Sequence, residues 1–228
     1  FFLYKHFYHL FIGAFLRVSD HVVVQTKWMQ LAVKERKWVF DGNVHVMKPG
    51  SFFGHSKRGA PEKLINGEYI FYPASAMPHK NHILLARALN KIKSNEELKL
   101  VVTIHRGENK EFDKIVARHD LQDKVCYIGY QESLSMESLY FYARAIVFPS
   151  KLETYGLPLI EAASMGKYLI VADMDYSREV LQGYESVIFC NPDDEKQWAL
   201  AWTLLSACHF CVLDLRFLIV QIGMIFLI

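Results

Sequence analysis

Short apolar runs alternate with longer amphipathic segments from residue 69 onwards. The runs typical of buried strands are YIFYPA (69–74), LKLVVTI (98–104), KVCYIG (124–129), AIVFPS (145–150), YLIVAD (168–173) and VIFCNP (187–192). The segments with the apolar spacing of helices are HILLARALNKIK (82–93), NKEFDKIVARHD (109–120), LSMESLYFYARA (134–145) and LPLIEAASMG (157–166). This alternation predicts an α/β fold with a Rossmann-like parallel sheet that is flanked by helices on both faces.

A parallel sheet of this kind binds its ligands at the carboxyl ends of the strands, near the point where the strand order reverses. We therefore expect the functional loops to follow Phe71, Ile128, Phe148 and Val171.

The first fifty residues have a different pattern. An aromatic stretch with interspersed Lys and His residues predicts an amphipathic helix, for packing or for a membrane surface. HVVVQT (21–26) predicts a strand that ends at Thr26, a candidate N-cap for the next helix, and NVHVMKPG (43–50) predicts another strand. Between residues 51 and 68 Gly, Ser, Pro and Lys predominate, as in a linker.

The two ends of the chain are unusual. The sequence begins with Phe1, and we expect a chain cut from something longer. Residues 204–228 form an atypical hydrophobic tail, in which the apolar run 217–228 is shorter than the roughly 18 to 20 residues of a membrane span. We expect a truncated or frame-shifted end, with a membrane-associated helix as the alternative.

Composition narrows the function classes. The chain has 26 basic and 24 acidic residues, a formal net charge of +2, and no block of positive charge of the kind that binds nucleic acid. Its four cysteines fit a reducing compartment, which indicates a cytoplasmic protein. Cys208 and Cys211 have C-x-x-C spacing, but no second pair completes a zinc site.

The loop after AIVFPS carries the strongest chemical pattern, KLETYGLPLIEAASMG. Gly156 allows a close approach of backbone to a ligand, and Pro158 fits the first turn of a helix. The helix start therefore predicts an anion site for a pyrophosphate, with Glu153 and Glu161 placed to accept hydrogen bonds from sugar hydroxyls. The backbone amides expected to face the phosphates are those of Tyr155, Gly156, Leu157 and Leu159.

The stretch FPSKLETYGLPLIEAASMG closely resembles the E-x(7)-E signature of glycosyltransferase family 4, the glycosyl transferases group 1 domain, which has the two-lobed GT-B fold. The resemblance extends over about residues 18 to 200 through VVVQTKWM, VHVMKPG, FYPASAMPHKNHILLARAL, YIGYQESL and VIFCNPDDEKQWA. It implies four segments: a remnant of the acceptor-binding N-terminal lobe (1–50), an inter-lobe linker (51–68), a nucleotide-sugar-binding lobe (69–203) and the tail (204–228).

The resemblance also implies roles for individual residues. Glu161 would hold the ribose hydroxyls, Glu153 would contact the donor sugar, and Lys80 would neutralise the diphosphate. The backbone from Tyr155 to Leu157 would lie beside the sugar and phosphates. The nucleobase would lie against Gly129, Tyr130, Gln131 and Leu134.

One position departs from the family pattern. Family members commonly carry an Arg six residues before the Lys, where this chain has Ala74. His79 or Arg106 is a candidate to replace that cation. His82 fits a polar group at a helix start better than a ligand, and Asp173 and Asp175 fit a turn, with Ser177 capping the next helix, better than a metal pair.

The family resemblance therefore implies a retaining glycosyltransferase that moves a hexose from a nucleoside diphosphate sugar to a glycan or lipid-linked acceptor in surface polysaccharide synthesis. It implies no metal or other cofactor, since electrostatic stabilisation of the leaving diphosphate suffices. We expect a cytoplasmic protein and leave contact with the inner membrane face open. Two alternatives stay open: a GT-B sugar-nucleotide epimerase or phosphorylase, and an inactive fragment that only binds nucleotide sugar because most of one lobe is absent.

Overall fold

A computed structural model of the chain describes residues 2–36, 43–50, 60–92 and 98–207. The strands are β1 (Val22–Val24), β2 (Val44–Val46), β3 (Tyr69–Tyr72), β4 (Lys99–Val102), β5 (Val125–Tyr127), β6 (Ala145–Phe148), β7 (Tyr168–Ala172) and β8 (Val187–Cys190). The helices are α1 (Phe2–Val18), α2 (Lys27–Glu35), α3 (His82–Lys91), α4 (Lys110–Arg118), α5 (Ser133–Tyr142), α6 (Leu157–Ser164), α7 (Asp175–Val180) and α8 (Glu195–Ala207), with a 3-10 turn at Pro78–Lys80. Half of the predicted linker (51–59), most of the tail (208–228) and with it the Cys208 to Cys211 pair lie outside the described residues.

The larger sheet confirms the predicted fold class. Six parallel strands lie in the order β5-β4-β3-β6-β7-β8, and helices connect them. Every residue of β3 and β6 is buried, in agreement with sequences that are hydrophobic or aromatic at each position rather than alternating. The core contains two fully buried tryptophans of α8, Trp198 and Trp202.

The strand order reverses between β3 and β6. From β3 the chain builds outwards through β4 to β5, then returns to the other side of β3 and builds outwards again through β6, β7 and β8. The loops that leave β3 and β6 therefore diverge to opposite sides of one crevice, which is where such a sheet takes its ligand.

The first fifty residues form a smaller unit. β1 pairs in parallel with β2, and Val22, Val24 and Val44 form its buried cluster. Thr26 caps α2 as predicted, since its side chain accepts a hydrogen bond from the Met29 amide. The predicted N-terminal helix is confirmed as α1, whose side chains Leu10, Phe11, Phe15 and Val18 are exposed. None of the described helices is both long enough and apolar enough to cross a bilayer.

Two local features differ from the sequence predictions. Ser177 does not precede the helix after β7 but lies in the first turn of α7, three residues after the N-cap Met174. Its hydroxyl accepts a hydrogen bond from the Met174 amide and donates to the Ala172 carbonyl, so Ser177 caps the helix as predicted, but from inside it. Helix α8 continues to Ala207, and Leu205 is buried against the core although the predicted lobe ends at residue 203.

Candidate active site

Lys80 and Glu153, which are 73 residues apart, form an ion pair in the crevice between β3 and β6. The Lys80 Nζ lies 2.5 Å from Glu153 Oε1, and the side chains are only 17% and 13% exposed. Lys80 comes from the 3-10 turn after β3, where its carbonyl accepts a hydrogen bond from the Tyr72 hydroxyl. Glu153 comes from the loop after β6. The fold thus places a cation and a carboxylate side by side at the strand-order reversal.

The loop from β6 into α6 has the conformation that Gly156 and Pro158 predict. Gly156 has a φ of 82°, in the left-handed region, and Pro158 lies in the first turn of α6. The Tyr176 hydroxyl donates to the Ser150 carbonyl at 2.6 Å and fixes the start of the loop.

Leu159 lies in the first turn of α6. Its side chain is fully buried in the core, and its amide donates to the Gly156 carbonyl at 2.9 Å. The first turn of α6 thus uses this amide internally, and its predicted contact with a phosphate stays a prediction. Tyr155 is also buried, and burial beside the Glu179 carboxylate raises the pKa of its phenol.

A second element approaches this loop from the N-terminal unit. The backbone amides of Lys27 and Trp28, at the start of α2, donate to the two carboxylate oxygens of Glu179 at 2.7 and 2.9 Å. The Thr26 hydroxyl lies 3.5 Å from the Thr154 carbonyl. A negative charge at a helix N-terminus is stabilising, so Glu179 joins α7 to α2 beside the candidate site.

Glu161 lies in a cavity of about 650 Å³ at the carboxyl ends of the strands. The Tyr140 hydroxyl donates to Glu161 Oε2 at 2.8 Å, and both residues line the cavity. Burial raises the pKa of Glu161, and the hydrogen bond from Tyr140 opposes that effect. The cavity is lined by Pro73, Ala74, Ser75, Ala76, Thr103, His105, Glu108, Tyr130, Gln131, Met136, Tyr140, Pro158 and Glu161.

The loop after β5 forms another wall of this cavity. Gly129 has a φ of 65°, and a Cβ at this position would lie 2.1 Å from the His105 ring, so any other residue would be strained and would have to displace that ring. Tyr130 is 85% exposed, and Gln131 donates from its side chain to the Ile128 carbonyl. The structure therefore brings Tyr130 and Gln131 into one cavity with Glu161.

Leu134 does not belong to this cavity. It lies at the start of α5 and lines a separate cavity of about 330 Å³ together with Pro61 and Leu64. Leu134 is thus separated from Tyr130 and Gln131, and its contact with a nucleobase stays a prediction.

Arg106, a candidate to replace the missing arginine at position 74, and Asp173, a candidate metal ligand, each contact another side chain. Arg106 lies with its guanidinium 5.3 Å from the ring centre of Tyr127, and Ala74 lines the cavity with no charge of its own. Asp173 accepts two hydrogen bonds from Arg178, at 2.6 and 2.8 Å, which lower the pKa of Asp173. Asp173 is thus engaged in an ion pair.

Sequence reasoning missed Tyr140, His105 and Glu108 as cavity residues. Tyr140 lies within an apolar helix pattern, and nothing local distinguishes it from its neighbours in α5. His105 and Glu108 follow β4, so the rule that places ligands at strand ends could have found them. Their loop had not been singled out because no motif marks it.

Comparison with known proteins identifies a family and similar folds. The sequence profile of the family described as "Glycosyl transferases group 1" matches residues 56–208. The chain is 31% identical to the O-antigen chain mannosyltransferase RfbU of Salmonella typhimurium over 135 residues, which are 58% of this chain and 37% of that protein. It is 28% identical to the O-antigen chain mannosyltransferase B of Escherichia coli over 129 residues, 55% of this chain and 33% of that protein. The chain thus spans about a third of the length of these relatives.

Solved structures share the fold. The Anabaena protein HepE in complex with UDP-glucose superposes with a TM-score of 0.69 at 16% identity, covering 88% of this chain and 56% of that chain. Sucrose-phosphate synthase from Thermosynechococcus elongatus superposes with a TM-score of 0.68 at 22% identity, covering 86% of this chain and 51% of that chain. At these identities the likeness establishes the fold alone.

Proposed function

The chain belongs to the glycosyl transferases group 1 family, and from this premise we propose that it forms the donor-binding part of a retaining hexosyltransferase. The donor is a nucleoside diphosphate sugar, and the acceptor is a glycan or a lipid-linked glycan. The two relatives that are named O-antigen chain mannosyltransferases support a mannosyl donor and a surface polysaccharide acceptor.

One observation carries the proposal. The cavity that contains Glu161 also contains the Pro158 turn at the start of α6. A ribose bound at Glu161 would place its phosphates near that helix start, where the helix dipole favours negative charge. The base would then occupy the side of the cavity at Tyr130 and Gln131.

The ion pair between Lys80 and Glu153 supports the position of the sugar. An ammonium group next to the diphosphate would stabilise the negative charge that develops on the leaving group as the glycosidic bond to phosphate breaks. The adjacent Glu153 carboxylate would accept hydrogen bonds from the sugar hydroxyls, so the same pair serves both halves of the donor. No step of this proposal uses a metal ion.

Donor binding is tested with a thermal-shift panel of UDP, GDP and ADP sugars, followed by calorimetry on the best ligand. We expect Glu161→Ala to weaken that ligand about tenfold or more, because it removes a charged acceptor of two hydroxyl hydrogen bonds. Glu111→Ala is the matched control, since Glu111 is exposed on α4, where it pairs with Lys114. Equal affinity of the Glu161→Ala and Glu111→Ala proteins would refute the assignment of the ribose site.

Transfer is tested by incubating the protein with the bound nucleotide sugar and a lipid-linked glycan. The expected product gains one hexose, and NMR should show the anomeric configuration of the donor. An isomerised sugar nucleotide without glycan extension would favour an epimerase instead. Donor binding without either reaction would favour a protein that only binds nucleotide sugar.

A further inference from the structure

The Glu161 carboxylate has one hydrogen-bond partner in the described part of the chain, the hydroxyl of Tyr140. We propose that Tyr140 is a positioning residue for donor binding, whose hydroxyl fixes the Glu161 carboxylate in the orientation that receives the ribose diol. The bond occupies Oε2 at 2.8 Å and leaves Oε1 to accept hydrogen bonds from a ligand. This inference rests on the proposed function and adds a residue to its site.

The Tyr140 ring is held firmly enough to act in this way. It is fully buried within α5 and packs edge-on against Phe71 of β3, with the ring centres 5.4 Å apart and the planes at 85°. A ring confined in this manner delivers its hydroxyl to one place. The orientation of Glu161 is therefore set by the packing of α5 on the sheet rather than by α6 alone.

The electrostatics of the cavity explain why such a donor is needed. Its lining, within the described residues, contains no Lys or Arg, and Glu108 contributes a second negative charge. The titratable groups that face Glu161 across the cavity are His105 and Glu108 from the loop after β4, Tyr130 from the loop after β5, and Tyr140.

A carboxylate in this setting would be protonated more readily, and a protonated Glu161 would accept fewer hydrogen bonds from a diol. Burial does raise the pKa of Glu161, and the Tyr140 hydrogen bond lowers it again. Burial also keeps the pKa of Tyr140 well above its ordinary value, so the phenol remains a donor at every pH at which the protein is folded. Tyr140 thus helps to keep Glu161 ionised while it binds.

The test is the pH dependence of nucleoside diphosphate binding, measured by calorimetry with UDP and GDP between pH 5.5 and 8.5. In the original protein we expect affinity to fall at the acid end as Glu161 takes up a proton. In Tyr140→Phe the midpoint of that fall should move upwards by about one pH unit, with affinity about tenfold lower near the new midpoint and recovering at high pH. Glu161→Gln supplies the baseline, since it keeps the titration of the ligand and every other group of the cavity lining but lacks the carboxylate.

Tyr184→Phe is the matched control, because it also removes one phenol hydroxyl. That hydroxyl donates to the Lys167 carbonyl, and neither Tyr184 nor Lys167 lines the cavity. This variant should retain the original midpoint. A Tyr140→Phe protein with an unmoved midpoint would overturn the inference, even if its affinity were uniformly lower, because a purely structural role does not shift a titration. If instead Glu161→Ala leaves binding unchanged, the proposed ribose site itself fails.

Discussion

His82 is a buried titratable side chain whose protonation should destabilise the fold. It is the first residue of α3 and is only 1% exposed, packed between the rings of Tyr72 and Phe112. Neither ring nitrogen has a hydrogen-bond partner among the described residues. Burial, together with the nearby charge of Lys80, lowers the pKa of His82 to about 4, while the Ala74 backbone, outside hydrogen-bond geometry, opposes this weakly.

The sign of the pH effect follows from this pKa. In the unfolded chain the His82 imidazole has its ordinary pKa of about 6.5. Between pH 6.5 and about 4 the unfolded state therefore binds a proton that the folded state does not bind, which favours unfolding. The stability that the neutral, buried His82 allows is fully present above pH 6.5 and is lost progressively as the pH falls from 6.5 to about 4. Between pH 7 and pH 5 the loss amounts to about 2 kcal/mol of unfolding free energy.

Urea denaturation of the original protein and of His82→Leu at pH 7 and pH 5 measures this contribution. We expect the variant to lose about 2 kcal/mol less than the original protein over that interval, because leucine has a similar volume and does not titrate. His119→Gln, at an exposed histidine after α4, should behave like the original protein. If the stability difference between original and His82→Leu is the same at both pH values, the reasoning is refuted.

Three further changes test the candidate site. Lys80→Met should weaken GDP or UDP binding about tenfold or more in calorimetry, since a charge-assisted contact to phosphate is worth about 1.5 to 3 kcal/mol. Binding of the nucleosides, which lack phosphate, should be nearly unaffected. Equal losses of affinity for nucleotide and nucleoside would contradict the role of Lys80 beside Glu153. Gly129→Ala should lower the urea stability by about 1 to 3 kcal/mol, because of its positive φ and the 2.1 Å approach to His105, and His105→Ala should restore part of the loss. Glu179→Ala should speed hydrogen exchange of the first two amides of α2 about tenfold, whereas unchanged exchange would show that Glu179 does not hold that helix start.

Local patterns were sufficient to predict most of the secondary structure. The strand β3 is apolar at every position because both faces of a parallel strand are covered, and the sequence alone shows that continuity. The Thr26 cap and the helix start at Pro158 depend on neighbouring residues only, so they too were predicted. At α7 the sequence predicted the capping role of Ser177 but not its position, because Ser177 lies inside the first turn and its hydroxyl also donates to the end of β7.

The order of the strands and the meeting of distant side chains were decided only by tertiary structure. Lys80 and Glu153 approach because β3 and β6 become neighbours, and Tyr140 reaches Glu161 because α5 packs against β3. For the same reason the sequence could not show that Leu134 lines a second cavity or that the Leu159 amide bonds within its own turn, since the motif names residues but not the direction in which each helix start turns them. A single sequence shows the spacing of hydrophobic residues and the residue types of turns, and both act over a few residues. Which loops share a cavity depends on sheet order and helix packing, which act between residues that are far apart in the chain.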